Sequence, residues 1–87
     1  MVAVQLLEEA IMVVTVRLDL RGLKCPLPVL KARRRMRDLT PGDCLEVETT
    51  DPLAVIDIPH FCNEDGHVLE LSEGMTGGHR FIIRKGA

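Results

Sequence analysis

The sequence predicts a two-layer α/β sandwich of order β-α-β-α-β-β, with a mixed four-stranded sheet and two helices on one face. Two stretches with helical spacing begin at Pro26 and Pro52, and each follows a run that alternates apolar and polar residues. The last third holds two more alternating runs separated by glycines, as in a hairpin. Two right-handed crossovers from parallel strands put both helices on the same side. The 87 residues, 46% of them hydrophobic, suffice for one modest core and argue against disorder.

Residues 1–12 read as a weakly structured appendage. Val4, Leu7 and Ile11 have helical spacing, but no cap precedes them. The domain proper is expected over 13–87. Val14, Val16, Leu18 and Leu20 alternate with Thr15, Arg17 and Asp19, which makes a half-buried first strand. A helix from Pro26 to about Leu39 buries Val29, Ala32, Met36 and Leu39, with Leu30 beside them. Thr40-Pro41-Gly42-Asp43 is a turn, and Leu45, Val47 and Thr49 mark the second strand. Asp51 is the N-cap of a second helix that runs from Pro52 to Asp65 and stops at Gly66. Pro59 inside it predicts a kink or break near Ile58. Leu69 and Leu71 mark strand three, Gly74 to Gly78 a loose turn, and Phe81 and Ile83 strand four.

Charge is divided along the chain although the net is only −2. Arg17 to Arg37 holds eight basic residues and one acid, whereas Asp43 to Glu73 holds nine acids and no Lys or Arg. Such blocks must meet or form opposite faces. The layout sets Glu46, Glu48 and Glu70 against Arg17, Arg80 and Arg84 on the exposed face of the sheet. Lys31, Arg33, Arg34, Arg35 and Arg37 cover much of the first helix, either as a solvated face or as a docking surface for RNA or an acidic protein. Three cysteines without a C-x-x-C pair argue against both a disulfide framework and a zinc site. The apolar N-terminus carries Glu8 and Glu9 and no basic residue before Arg17, unlike a signal peptide or a membrane span. A cytoplasmic protein with reduced thiols is expected.

The stretch Gly22-Leu23-Lys24-Cys25-Pro26-Leu27-Pro28 joins the first strand to the first helix. Cys25 reads as the N-cap and Pro26 as the first helical residue, so the thiol faces the positive end of the helix dipole. Lys24 and Arg21 add positive charge nearby. That setting favours a thiolate, and hence a nucleophilic sulfur, over a cysteine that merely packs. Asp51 should lie at the same sheet edge, because both helices start after parallel strands. Cys44 and Cys62 fall at the opposite end and read as packing residues, and no histidine is expected near Cys25.

These residues resemble the TusA/SirA-like sulfur-carrier family. The resemblance rests on Gly22-Leu23-x-Cys25-Pro26-x-Pro28, Asp51-Pro52, Asp57-Ile58-Pro59-x-Phe61-Cys62 and Ile83-Arg84-Lys85, and it spans roughly residues 15 to 86. It implies a fold like the C-terminal domain of translation initiation factor three. It also implies that Cys25 carries a persulfide, accepted from a cysteine desulfurase and passed to a downstream sulfur-relay protein without a cofactor or metal. Gly22, Lys24, Pro26 and Pro28 would shape the site, and Asp51, Lys31, Arg34 and Arg35 would dock partners. One branch of the family ends in 2-thiouridine at the tRNA wobble position, which involves tRNA indirectly, and the Asp57–Cys62 block leans that way. Other branches serve sulfur oxidation or molybdenum-cofactor chemistry. Two further classes stand beside the carrier. An RNA-binding module lacks a stacking platform, since Phe61 and Phe81 are the only aromatic residues apart from histidine. A thiol-based regulator lacks a resolving cysteine close to Cys25.

Overall fold

Strict alternation in the strands sends one set of side chains under two helices and the other to solvent. A computed structural model describes residues 14–87, so the expected appendage over 1–12 lies outside the described residues. The elements are β1 (Thr15–Leu20), α1 (Leu27–Met36), β2 (Cys44–Thr49), α2 (Ala54–Asp65), β3 (Val68–Met75) and β4 (Gly78–Arg84). The sheet order is β1-β2-β4-β3, with β1 and β2 parallel and β4 antiparallel to both of its neighbours. This is the expected mixed four-stranded sandwich. No helix among the described residues is long and apolar enough to cross a membrane.

The core forms where the two layers meet. Leu20, Leu45, Val47, Phe81 and Ile83 come from the sheet, Ala32 and Met36 from α1, and Ala54, Ile58, Phe61 and Cys62 from α2. On the other face Arg17 bridges Glu46 and Glu48 at 3.0 and 3.3 Å, and Arg80 bridges Glu46 and Glu73. Arg84 meets Glu70 at 2.9 Å. Part of the charge division therefore resolves across strands, as the alternation implied.

Several boundaries differ from the sequence reading. Helix α1 ends at Met36, and residues 37–39 continue as a tighter turn whose N–H groups bond three residues back, Leu39 to Met36 at 3.1 Å. Leu30 is 50% exposed and lies outside the buried stripe, which Pro28 joins instead. Pro59 neither breaks nor ends α2. It deprives only the carbonyl of Val55 of a donor, and Val55 lies on the exposed side, where water can substitute. A bulge between Leu69 and Leu71 moves the pairing on, so Leu69 faces Ile83 while Leu71 faces Ile82 on the other side. The hairpin turn is tight: Met75 pairs with Gly78 around Thr76-Gly77, and Gly77 takes φ +75°.

His67 ties the C-terminus to the fold. Its Nδ1 accepts the Gly86 N–H at 3.1 Å, and its ring meets Phe61 edge-on at 5.5 Å. Burial lowers its pKa; Asp65 opposes this, and Lys85 and Arg33 reinforce it. A depressed histidine pKa means that the unfolded chain binds the proton more readily. This stabilisation is complete above the free-histidine value of about 6.5 and is lost as pH falls through the lower folded-state value. The thermal midpoint should therefore drop between pH 7 and 5.5, and His67→Asn should flatten that drop. An equal drop in the variant would assign the acid sensitivity to other groups.

Candidate functional site

The loops that leave β1 and β2 are stapled together by two backbone-to-side-chain bonds. Gly22, at φ +82°, donates its N–H to Thr50 Oγ1 at 2.9 Å. Cys25 donates its N–H to Asp51 Oδ2 at 2.6 Å, while Asp51 Oδ1 accepts the Leu53 N–H at 3.2 Å. Parallel pairing of β1 with β2 brings both loops to one sheet edge, where Cys25 and Asp51 were expected to meet. Asp51 caps the turn before α2 and not the helix itself, which starts at Ala54 with no side-chain cap. The carboxylate thus orders two loops at once.

Cys25 is exposed but is not the N-cap of α1. Pro26 holds that position, Pro28 lies in the first turn, and the Cys25–Pro26 bond is cis. The first helical N–H groups are scarce at this end: two residues are prolines, and Leu27 donates to the Lys24 carbonyl at 2.9 Å. The expected thiolate is accordingly overturned. The Cys25 pKa is raised, mainly by a hydrogen bond to the Asp57 carboxylate, then by partial loss of water and by the charges of Asp57 and Asp51. Arg21 does not offset this, because Asp19 holds its guanidinium at 2.9 Å. Lys24 is exposed.

Between α1 and α2 the thiol opens into a cleft of about 280 Å³, lined by Cys25, Pro26, Val29, Leu30, Arg33, Asp57, His60, Phe61 and Glu64. Arg33 bonds Asp65 at 2.9 Å and lies over the Phe61 ring at 5.1 Å. His60 Nε2 meets Glu64 at 2.7 Å. His60 therefore shares the cleft with Cys25, contrary to the expectation that no histidine lies near it. Asp57 was also missed as a site residue. Its signal was present: with Ala54 and Phe61 it falls at spacings of three and four on the inward stripe of α2, an unusual place for a carboxylate. Leu27, Leu30, Leu53 and Ile56 are exposed on the opening turns of the two helices or just before them, and Leu30 lines the cleft.

The remaining sequence candidates lie elsewhere. Cys62 is buried, and burial raises its pKa to about 11. Cys44, half-buried at the start of β2, is also raised by burial. Lys31, Arg34 and Arg35 gather around Leu18 on a separate flank, with Arg35 paired to Asp38 at 3.0 Å.

Comparison with known proteins places this geometry in context. Residues 16–85 match the family model described as sulfurtransferase TusA. The chain is 44% identical over 70 residues to a sulfur carrier protein TusA of Pseudomonas paraeruginosa, covering 80% of this chain and 89% of the relative. The same identity and coverage hold for sulfur carrier proteins TusA from two strains of Pseudomonas aeruginosa.

Proposed function

Because this chain belongs to the sulfurtransferase TusA family of sulfur carriers, we propose that Cys25 is its sulfur-bearing residue, loaded by a cysteine desulfurase and emptied onto an acceptor protein. The observation that carries this is position: of the three cysteines only Cys25 is exposed, at the mouth of a cleft. In the transfer a Cys25 Sγ–S bond forms with the outer sulfur of the donor's persulfide. The donor's own S–S bond breaks, and its cysteine leaves with the electron pair, so there is no net oxidation. The destination we propose is the 2-thiouridine of tRNA wobble positions, in the cytoplasm. It is supported by the Asp57–Cys62 block, with tRNA reached only through the acceptor.

Incubation with a desulfurase, its cofactor and cysteine should add one sulfur atom to the protein. A chain that gains none from several desulfurases would put the thiol-regulator reading ahead of the carrier. For the destination, expression in cells that lack their own carrier should restore 2-thiouridine in tRNA, and failure there with intact loading redirects the sulfur to another pathway.

The basic flank of α1 is proposed as partner-docking surface. Arg34→Glu with Arg35→Glu should leave circular dichroism unchanged and weaken desulfurase binding at low salt, with the difference shrinking as salt rises. Equal affinity at every salt concentration would make the flank a solvated face.

A further inference from the structure

Resting on the carrier reading and on the docking role of the α1 flank, the geometry points to the open edge of β1 as the place where a sulfur-transfer partner adds an extended acidic segment to the sheet. Among the described residues β1 has β2 as its single neighbour. The Cys44 N–H donates to the Val14 carbonyl at 2.9 Å, which sets the phase of the parallel ladder. Val14, Val16, Leu18 and Leu20 therefore turn their backbone groups toward β2, and Thr15, Arg17 and Asp19 turn theirs to the open side. Those outward N–H groups and carbonyls form a template for a further strand. The opposite edge is unsuited. β3 is broken by the bulge between Leu69 and Leu71 and carries Glu70 and Glu73, and a bulge with acidic side chains blunts an edge. β1 runs in unbroken register from Thr15 to Leu20. Its Arg17 side chain is drawn back over β2 onto Glu46 and Glu48, at 3.0 and 3.3 Å.

Charge beside the edge selects the occupant. Between β1 and α1 lies a groove of about 250 Å³, lined by Leu18, Lys31, Arg34, Arg35 and Asp38. Asp38 pairs with Arg35 at 3.0 Å, and among the described residues no ion pair holds Lys31 or Arg34. Alternate side chains of an added strand point to the helix side of the sheet, over this groove. Glutamates there meet Lys31 and Arg34, which an apolar or basic segment leaves unanswered. RNA answers the cations but brings no N–H and C=O ladder to the edge. β1 ends at Leu20 and its loop leads to Cys25, so a segment laid along β1 has one end at the sheet edge that carries the thiol. Strand addition thereby tethers a donor or acceptor beside the sulfur and raises its effective concentration there.

The test mixes the full chain with a short synthetic peptide of alternating glutamate and valine and reads backbone amide hydrogen exchange by NMR. In the free protein the amides of Val16, Leu18 and Leu20 should exchange slowly and those of Thr15, Arg17 and Asp19 fast. The peptide should slow the second set at least about tenfold. Methylating one alternate set of peptide nitrogens should abolish this protection and weaken binding at least about tenfold, and methylating the other set should do neither. Lys31→Glu with Arg34→Glu should also weaken binding, with circular dichroism unchanged. Binding that protects none of the three amides, or that tolerates methylation of either set, reduces the flank to a charged surface and overturns strand addition. So does the absence of binding, or binding of single-stranded RNA where the peptide does not bind. Slow exchange of Thr15, Arg17 and Asp19 before peptide is added gives the edge to residues 1–13, or to a second copy where protection grows with protein concentration, and overturns the partner. Sulfur loading on Cys25 is measured separately, so failure of the edge and failure of the carrier reading are told apart.

Discussion

Cys25→Ser should lose the entire gain of one sulfur atom that the wild-type chain shows after treatment with a desulfurase. The loss should be complete, because neither remaining cysteine offers a usable sulfur. Cys62 is 2% exposed and its pKa is raised to about 11, so at neutral pH it is neither ionised nor accessible to a donor's persulfide. Cys44 is half-buried where it opens β2, at the other end of the sheet from the β1–α1 loop and away from the cleft. Peptide mass spectrometry should map the added sulfur to the peptide containing Cys25, and dithiothreitol should remove it. Sulfur that maps to Cys62, or that persists in Cys25→Ser, would assign the carrier function to a different residue.

Phe61→Ala should destabilise the domain more than a substitution at any exposed site. Phe61 is 1% exposed, sits in the core between α2 and the sheet, supports the Arg33 guanidinium and meets His67 edge-on. Truncating a buried phenylalanine costs about 3–5 kcal/mol through lost transfer energy and the cavity left behind. A domain of this size has only about 4–13 kcal/mol in total. At roughly 4–8 °C per kcal/mol the thermal midpoint should fall by at least about 12 °C. A fall below about 5 °C would mean that α2 closes over the space, and the cleft beside Cys25 should then lose volume.

The parts of the fold governed by local rules were legible. Alternation located all four strands, and proline after a capping-type residue marked where each helix would begin to within a few residues. The cross-strand ion pairs of Arg17, Arg80 and Arg84 followed from register alone, since a period of two fixes which side chains share a face. Cys25 and Asp51 meeting at one edge followed from two parallel strands each feeding a helix. The bulge at strand β3, the early end of α1 and the tight Thr76-Gly77 turn were not legible. Each depends on how a segment fits its neighbours: Leu69 and Leu71 keep the spacing of an unbroken strand although the bulge between them pairs one with Ile83 and the other with Ile82.

The electrostatic character of the site divides in the same way. That a cysteine follows a strand, precedes two spaced prolines and opens a helical run was readable from neighbouring residues alone, because those are local properties of the chain. By the same local logic Lys24 and Arg21 pointed to a thiolate. The opposite follows from the packing of α2 against α1, which puts Asp57, 32 residues further along the chain, in one cleft with the sulfur, while Asp19 occupies Arg21. Charge acts through space at a few ångströms, and a thiol's proton is held by whichever groups the fold brings that close, not by those next to it in the chain.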